Sequence, residues 1–343
     1  MNLWKMRYTQ IFAALFWLGL VFVMLKSLNG GPENFDGGLY GRRKLILNYA
    51  NLRLALGDQS FSNMLVGKDG WLFMTTEKTL EDFQGISRLK PEELSRISAQ
   101  LWSLKARLDA RGATLIVLIV PNKQTVYPDK LPDAIFPLSP VNRMTQFYDE
   151  NAQNGPPVLM DIRPLLAQAR LTRDVYLKTD THWNVYGAYV TYQAILQRLK
   201  PDFPALEIYP EQDFTFSDGT PLLMDLTGNT GGNLWLEKPP VLATSFDPAV
   251  SYRVIKLSNG RELTFSWQNG SSSRLPRLLM FHDSFGFDLR YLLAAHFSKA
   301  TFVPHFSGAD AWNNNWIEQT DPDVVIIEFA ERYVDSIQQL LAK

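Results

Sequence analysis

Residues Ala113 to Val120 read ATLIVLIV, and Asp323 to Phe329 read DVVIIEF. A strand apolar at both odd and even positions is covered on both faces, as happens where helices sandwich a parallel sheet. Shorter apolar runs at Val158–Ile162, Arg277–Phe281 and Ala300–Pro304 have the same character. Between them lie segments of helical period: Pro91–Arg111, Asn142–Asn151, Trp183–Leu199 and Phe287–Phe297. In the first, Leu94, Ile97, Leu101, Leu104 and Leu108 share one face, Pro91 suits the first turn and Gly112 the C-terminal cap. Buried strands alternating with helices predict an α/β fold, with a mostly parallel central sheet flanked by helices. The 343 residues suffice for one large domain or two modest ones, and 46% hydrophobic with 20% charged residues is a globular balance. A net charge of -1 argues against a nucleic-acid-binding face. With no cysteine, disulfides, thiolate nucleophiles and Cys-based zinc sites are excluded.

Ile11 to Leu25 is an unbroken apolar run, preceded by Lys5 and Arg7 and followed by Lys26. With its flanks it reaches the roughly 20 residues a membrane span needs, and no A-x-A-like cleavage site follows it. Residues 1–28 are therefore expected to be an uncleaved signal anchor. The basic N-terminal flank predicts a cytoplasmic N-terminus and a chain that continues on the far side, although Arg42, Arg43 and Lys44 weaken that bias. Residues 29–59 read as a Gly- and Asn-rich linker and a short helix near Leu45–Leu56. The α/β domain is expected over 60–343. It begins with a strand–turn–strand at 66–73, where Asp69-Gly70 is the turn signal. Residues 201–276 differ from the rest. They hold frequent Pro and Gly, a GNTGGN loop at 228–233, and two strand-like runs, Tyr252–Leu257 and Glu262–Trp267, around Asn259-Gly260. They read as a β-rich insertion that rims the site. GNTGGN lacks the Lys-Ser/Thr of a phosphate loop.

Two stretches carry chemistry. Asp180-Thr181-His182-Trp183-Asn184 lies between an apolar strand and a helix, and His282-Asp283-Ser284-Phe285-Gly286 lies between another strand and helix. Together they supply the side-chain types of activated-serine chemistry. Each has a bland reading: Ser284 as a helix N-cap, His182 as a satisfied core histidine, Asp180 as a carboxylate at a helix N-terminus. Their concurrence at the carboxyl ends of predicted parallel strands, where α/β sheets bind ligands, favours one shared site. His282 competes as the base, since in an extended strand it would point to the same side as Ser284, but it lacks a paired carboxylate. A metal site built from Asp180, His182, His282 and Asp283 is disfavoured, because no ligand spacing of known type exists.

On these residues the chain resembles the AlgJ/AlgX-type polysaccharide O-acetyltransferases, a branch of the SGNH hydrolase-like superfamily. The D-x-H of Asp180–His182 and the D-S-F of Asp283–Phe285 carry the resemblance, with VGKDGWLF at 66–73, VPNKQTVYP at 120–128 and PDVVIIEFAERY at 322–333. The order Asp180, His182, Ser284 is what a circular permutation of the ordinary superfamily sheet gives. The resemblance implies Ser284 as nucleophile, His182 as general base and Asp180 as its orienting partner. It also implies acetyl transfer to hydroxyls of an exopolysaccharide, alginate- or cellulose-like, in the periplasm. No cofactor is implied. The acetyl group would come from an MBOAT-type integral membrane acyltransferase, and the anchor would sit in the inner membrane. Two departures are visible: His282 replaces the glycine of the serine block, and the third-block asparagine is replaced by the Glu328/Arg332 region. The second oxyanion donor stays open among the backbone after Ser284, Asn122 and Arg332, and Lys123, Phe285 and Glu328 are further candidates around the substrate. Alternatives are an acetyl esterase or deacetylase with the same three residues, and a non-catalytic assembly factor of a polysaccharide export complex.

Overall fold

A computed structural model describes residues 3–27, 41–227, 235–245, 250–256, 262–268, 275–305 and 315–341. The GNTGGN loop, the Asn259-Gly260 turn and most of the 29–41 linker lie outside the described residues. The chain divides into two compact units, Met1–Gln59 with Thr227–Trp235, and Ser60–Leu226 with Leu236–Lys343.

In the first unit, α1 (Leu3–Ser27) holds Lys5 and Arg7 near its start, is apolar all round from Ile11 to Leu25, and has Lys26 in its last turn. Its Gln10–Ser27 stretch has a mean hydropathy of 1.8 and is almost wholly exposed, so by length and composition it can cross a membrane. A second helix, α2 (Arg42–Ala55), starts after Gly41, whose φ of 76° suits a residue without a Cβ.

The second unit is built on a seven-stranded sheet. Its strands are β3 (Thr114–Val120), β4 (Leu159–Asp161), β7 (Val250–Lys256), β8 (Glu262–Gln268), β9 (Arg277–His282), β10 (Lys299–Pro304) and β11 (Val324–Ala330), in the order β4-β3-β11-β9-β10-β8-β7. From β4 to β10 neighbours are parallel, whereas β8 and β7 add antiparallel to the β10 edge. Two hairpins stand apart from this sheet: β1 (Met64–Val66) with β2 (Leu72–Met74), and β5 (Phe214–Asp218) with β6 (Pro240–Thr244). The expected insertion therefore has two fates. β5 and β6 form their own hairpin, while β7 and β8 extend the main sheet, a pairing that local sequence does not encode.

Strand alternation sorts the core. Ile116, Leu118, Met280 and Ile326 face one layer, covered by α5 (Val185–Leu199) and α6 (Gly286–Ala294). Leu115, Val117, Leu279 and Ile327 face the other, covered by α3 (Pro91–Asp109) and α4 (Arg143–Asn154). The five leucine and isoleucine positions read from the sequence of α3 are all buried. Its start is fixed by Pro91 in the first turn and by the Glu93 carboxylate, which accepts the Lys90 N–H at 2.8 Å. α4 is capped by Asn142, which accepts the Thr145 N–H at 2.9 Å. A buried ion pair ties these layers to the periphery: Arg143 Nε donates to Asp82 Oδ1 at 2.7 Å and Nη1 lies 2.6 Å from Asp335.

Candidate active site

β9 lies inside the sheet between β11 and β10, and at its carboxyl end the chain turns through Asp283 and Ser284 into α6. The turn is held from beneath by carboxyl groups. Asp283, fully buried, accepts the N–H of Phe285 at 2.8 Å and of Ala330 at 2.7 Å. Glu328 of β11, also fully buried, accepts the Asp283 N–H at 3.0 Å. Burial and the neighbouring Asp283 push the Glu328 carboxyl well above its ordinary range. A side chain at Gly286 would not fit, because a Cβ there would lie 2.4 Å from that of His282.

The second segment is a tight loop. Tyr176 pairs with Trp183 across it, and Leu177 N–H donates to the His182 carbonyl at 3.2 Å. Asn184 closes it by capping α5 through the N–H groups of Tyr186 and Gly187. Trp183 then stitches the two segments together, its indole N–H donating to the Phe285 carbonyl at 3.1 Å while the two rings meet edge-on.

The result is a contact between side chains 102 residues apart: His182 Nε2 is 2.6 Å from Ser284 Oγ. On the other side of the imidazole, Nδ1 is 2.6 Å from Asp180 Oδ1, which also accepts the His182 N–H at 3.0 Å. With Nδ1 donating to the carboxylate, the Nε2 lone pair faces the serine hydroxyl, the tautomer a base needs. Burial acts to raise the Asp180 pKa, but the hydrogen bonds and charge of His182 outweigh it and hold the carboxyl below its ordinary value. The half-buried Ser284 and His182 lie open to solvent on one side.

Residues 64–232, which take in Asp180 and His182, match the family model described as SGNH hydrolase-like domain, acetyltransferase AlgX. Over these residues the chain is similar to the AlgX-type SGNH hydrolase-like domain. Curated relatives include the probable alginate O-acetylase AlgJ of Pseudomonas syringae pv. tomato, 30% identical over 180 residues, 52% of this chain and 44% of that protein. The probable AlgJ of Pseudomonas aeruginosa is 27% identical over 175 residues, 48% of this chain and 40% of that protein. The match thus spans less than half the length of these relatives. Among solved structures, Bacillus cereus PatB1 superposes with a TM-score of 0.61 at 16% identity, covering 79% of this chain and 96% of its own. The O-acetyltransferase domain of Pseudomonas putida AlgJ gives 0.51 at 22% identity, covering 80% and 92%. At these identities the likeness is one of fold.

The other expected residues fall into different environments. Phe285 is buried, with its ring centroid 4.8 Å from that of His182, and its N–H is already taken by Asp283, so it is not an open oxyanion donor. Asn122 caps a short helical turn, and both its carboxamide atoms are closed off from solvent without a hydrogen-bond partner. Lys123 is buried, donating to the carbonyls of Leu72 at 2.7 Å and Lys178 at 3.0 Å, and desolvation lowers its pKa to about 7. Its amine is a brace between hairpin β1–β2 and the histidine loop, not a group reaching toward solvent. Glu328 braces the serine turn from below. Arg332 pairs with Glu77 at 2.8 Å and lies 5.4 Å over the Phe285 ring. His282 is corrected as a competing base: alternation aims it into the core beneath α6, where burial lowers its pKa to about 3. The chain turns at Asp283, so the same-side rule of an extended strand does not carry to Ser284.

Two acidic residues escaped the sequence reading because their partners are distant in the chain. Asp225 accepts the Thr181 N–H at 2.8 Å and its hydroxyl at 2.5 Å, and Oδ2 lies 3.8 Å from His182 Nδ1. Burial and the negative charge of Asp180 raise its pKa. Glu237 accepts the N–H groups of Lys178 and Thr179, both at 2.8 Å. The 201–276 region thus anchors the histidine loop. Ligand atoms of Asp180, His182 and Asp225 lie within 4.8 Å of one another, but Nδ1, the imidazole nitrogen facing both carboxylates, is the atom already bonded to Asp180.

Proposed function

We propose that this protein is a membrane-anchored O-acetyltransferase that moves an acetyl group through acetyl-Ser284 to a hydroxyl of an exopolysaccharide. The observation that carries the reading is the unbroken relay Asp180–His182–Ser284, with 2.6 Å at both links. Ser284 Oγ attacks the carbonyl carbon of the acetyl donor as its proton passes to His182 Nε2, and Asp180 stabilises the imidazolium. The donor's leaving group departs with that proton. His182 then takes the proton of the acceptor hydroxyl, whose oxygen attacks the acetyl carbonyl, and Ser284 leaves reprotonated. The developing oxyanion needs a donor. The Ser284 N–H has no acceptor among the described residues, so it is our choice.

Relatives named as alginate O-acetylases support an acetyl group and a polysaccharide acceptor. The apolar stretch of α1, with Lys5 and Arg7 before it in the same helix, supports an inner-membrane anchor and a periplasmic catalytic unit. An MBOAT-type membrane acyltransferase is the donor partner in this reading. The test is intact mass and peptide mapping of the full chain in detergent after exposure to p-nitrophenyl acetate. Acetyl on Ser284 in the wild type and none in His182→Ala is expected; acetylation elsewhere, or persisting at Ser284 without His182, would overturn the mechanism.

A further inference from the structure

A cavity of about 490 Å³ lies near the serine–histidine site, since Asp288 in its wall feels the charges of His182 and Asp180. Its lining includes Val185, three residues on from His182, and Asp288, four on from Ser284 at the start of α6. Its walls are largely apolar and aromatic, including Phe214 and Tyr192. At its rim Tyr252 and Tyr291 meet edge-on with centroids 5.6 Å apart, and they are 39% and 59% exposed. Among the described residues neither hydroxyl makes a hydrogen bond, and the Asp288 carboxylate makes no hydrogen bond or ion pair, although the charges of His182 and Arg290 act on it. Concave apolar walls with a few unengaged polar groups are the makeup of a small-molecule subsite. Exposed tyrosines add ring faces for stacking and hydroxyls for polar contact.

The charge pattern narrows the occupant. Asp288 is the one ionisable acid among the lining residues, and no Lys, Arg or His joins it there. Burial raises its pKa to about 6, which still leaves it ionised in neutral solution. A carboxylate not engaged in an ion pair accepts hydrogen bonds from sugar hydroxyls and repels a second carboxylate.

We propose that this cavity is the acceptor subsite for an uncharged sugar residue, held by Asp288 and the Tyr252–Tyr291 pair, and that it discriminates against uronates. The inference rests on the acyl-transfer reading for why a sugar would come here, and it deepens that reading by setting the class of acceptor. It also departs from the polyuronate named in the titles of the curated relatives.

The test separates binding from chemistry. Isothermal titration of the full-length Ser284→Ala protein in detergent is made with cellohexaose, mannohexaose and hexamannuronate. At least one neutral hexasaccharide should bind more tightly than hexamannuronate. Tyr291→Ala and Asp288→Asn, each in the same background, should weaken that binding about tenfold, the loss of one stacking or polar contact. Asp288→Lys should move the preference toward hexamannuronate, a gain that misfolding could not produce. Hexamannuronate binding as tightly as the neutral sugars, no neutral sugar binding, or neutral affinity unmoved by both Tyr291→Ala and Asp288→Asn would overturn the subsite. Ser284 acetylation is read separately: its absence alongside selective sugar binding would sink the acyl-transfer mechanism and uphold the subsite.

Discussion

His182 stands between an aspartate and a serine, and each contact constrains the other. Asp180 fixes the tautomer through Nδ1, so Nε2 accepts from Ser284. Asp180→Asn keeps the shape but can orient the ring wrongly, so turnover of p-nitrophenyl acetate should fall on the order of 10²–10⁴-fold, the usual worth of general-base assistance. A steady-state comparison with the wild type checks this, and a loss below threefold would remove Asp180 from the relay. Lys123 allows a prediction about stability. Its folded pKa of about 7 is far below the unfolded value of roughly 10.4. Between these values the unfolded chain binds the extra proton, so stability should rise as pH goes from about 7 to 9.5. Urea denaturation at the two pH values should show the rise in the wild type and its absence in Lys123→Met. Equal slopes in both proteins would show that the amine titrates normally.

At the scale of elements, the serine turn and the ion pair beneath the helices decide most. The turn between β9 and α6 has room for only a glycine at 286, since a Cβ would press on His282 at 2.4 Å. Gly286→Ala should cost about 1–3 kcal/mol through overpacking, read as a lower urea midpoint, together with reduced acetylation as Ser284 moves. A stability within error of the wild type would mean that His282 can give way. Arg143 and Asp82 are both nearly inaccessible, at 2% and 1% side-chain exposure. Burial, with a smaller push from the charge of Asp335, raises the Asp82 carboxyl against the hydrogen bonds and charge of Arg143. Removing the guanidinium would leave that acid buried and without its main partner. Arg143→Leu is therefore expected to lose about 3–5 kcal/mol, and Arg143→Leu with Asp82→Leu clearly less. Equal losses in the single and double variants would refute a charge-based cost.

For the whole molecule, the proposed function makes α1 the segment that sets where the chain works. If it is an anchor, the full chain should stay with membranes through carbonate extraction, and a chain lacking residues 1–28 should be released. Extraction of the full chain would instead make α1 a surface segment. Under the proposed function, a domain tethered beside a membrane would meet a donor delivered through that membrane at high effective concentration.

Period and punctuation alone determined the α/β class, the helices near Pro91 and Asn142, the one expected from Trp183 (which begins two residues later, at Val185, after the Asn184 cap), and the apolar N-terminal helix, because these depend on which faces are apolar and on local caps. The residue types of the relay were also readable, as two segments at strand ends. Tertiary structure decided what lies far apart in the chain. It brought His182 to Ser284, placed Asp225 and Glu237 under the histidine loop, and let β7 and β8 extend the sheet at β10. It also turned His282 and Lys123 inward, where water is absent, and their titration with them. Local sequence sets the direction of a side chain relative to its own backbone; only packing decides what it meets there and whether its charge survives.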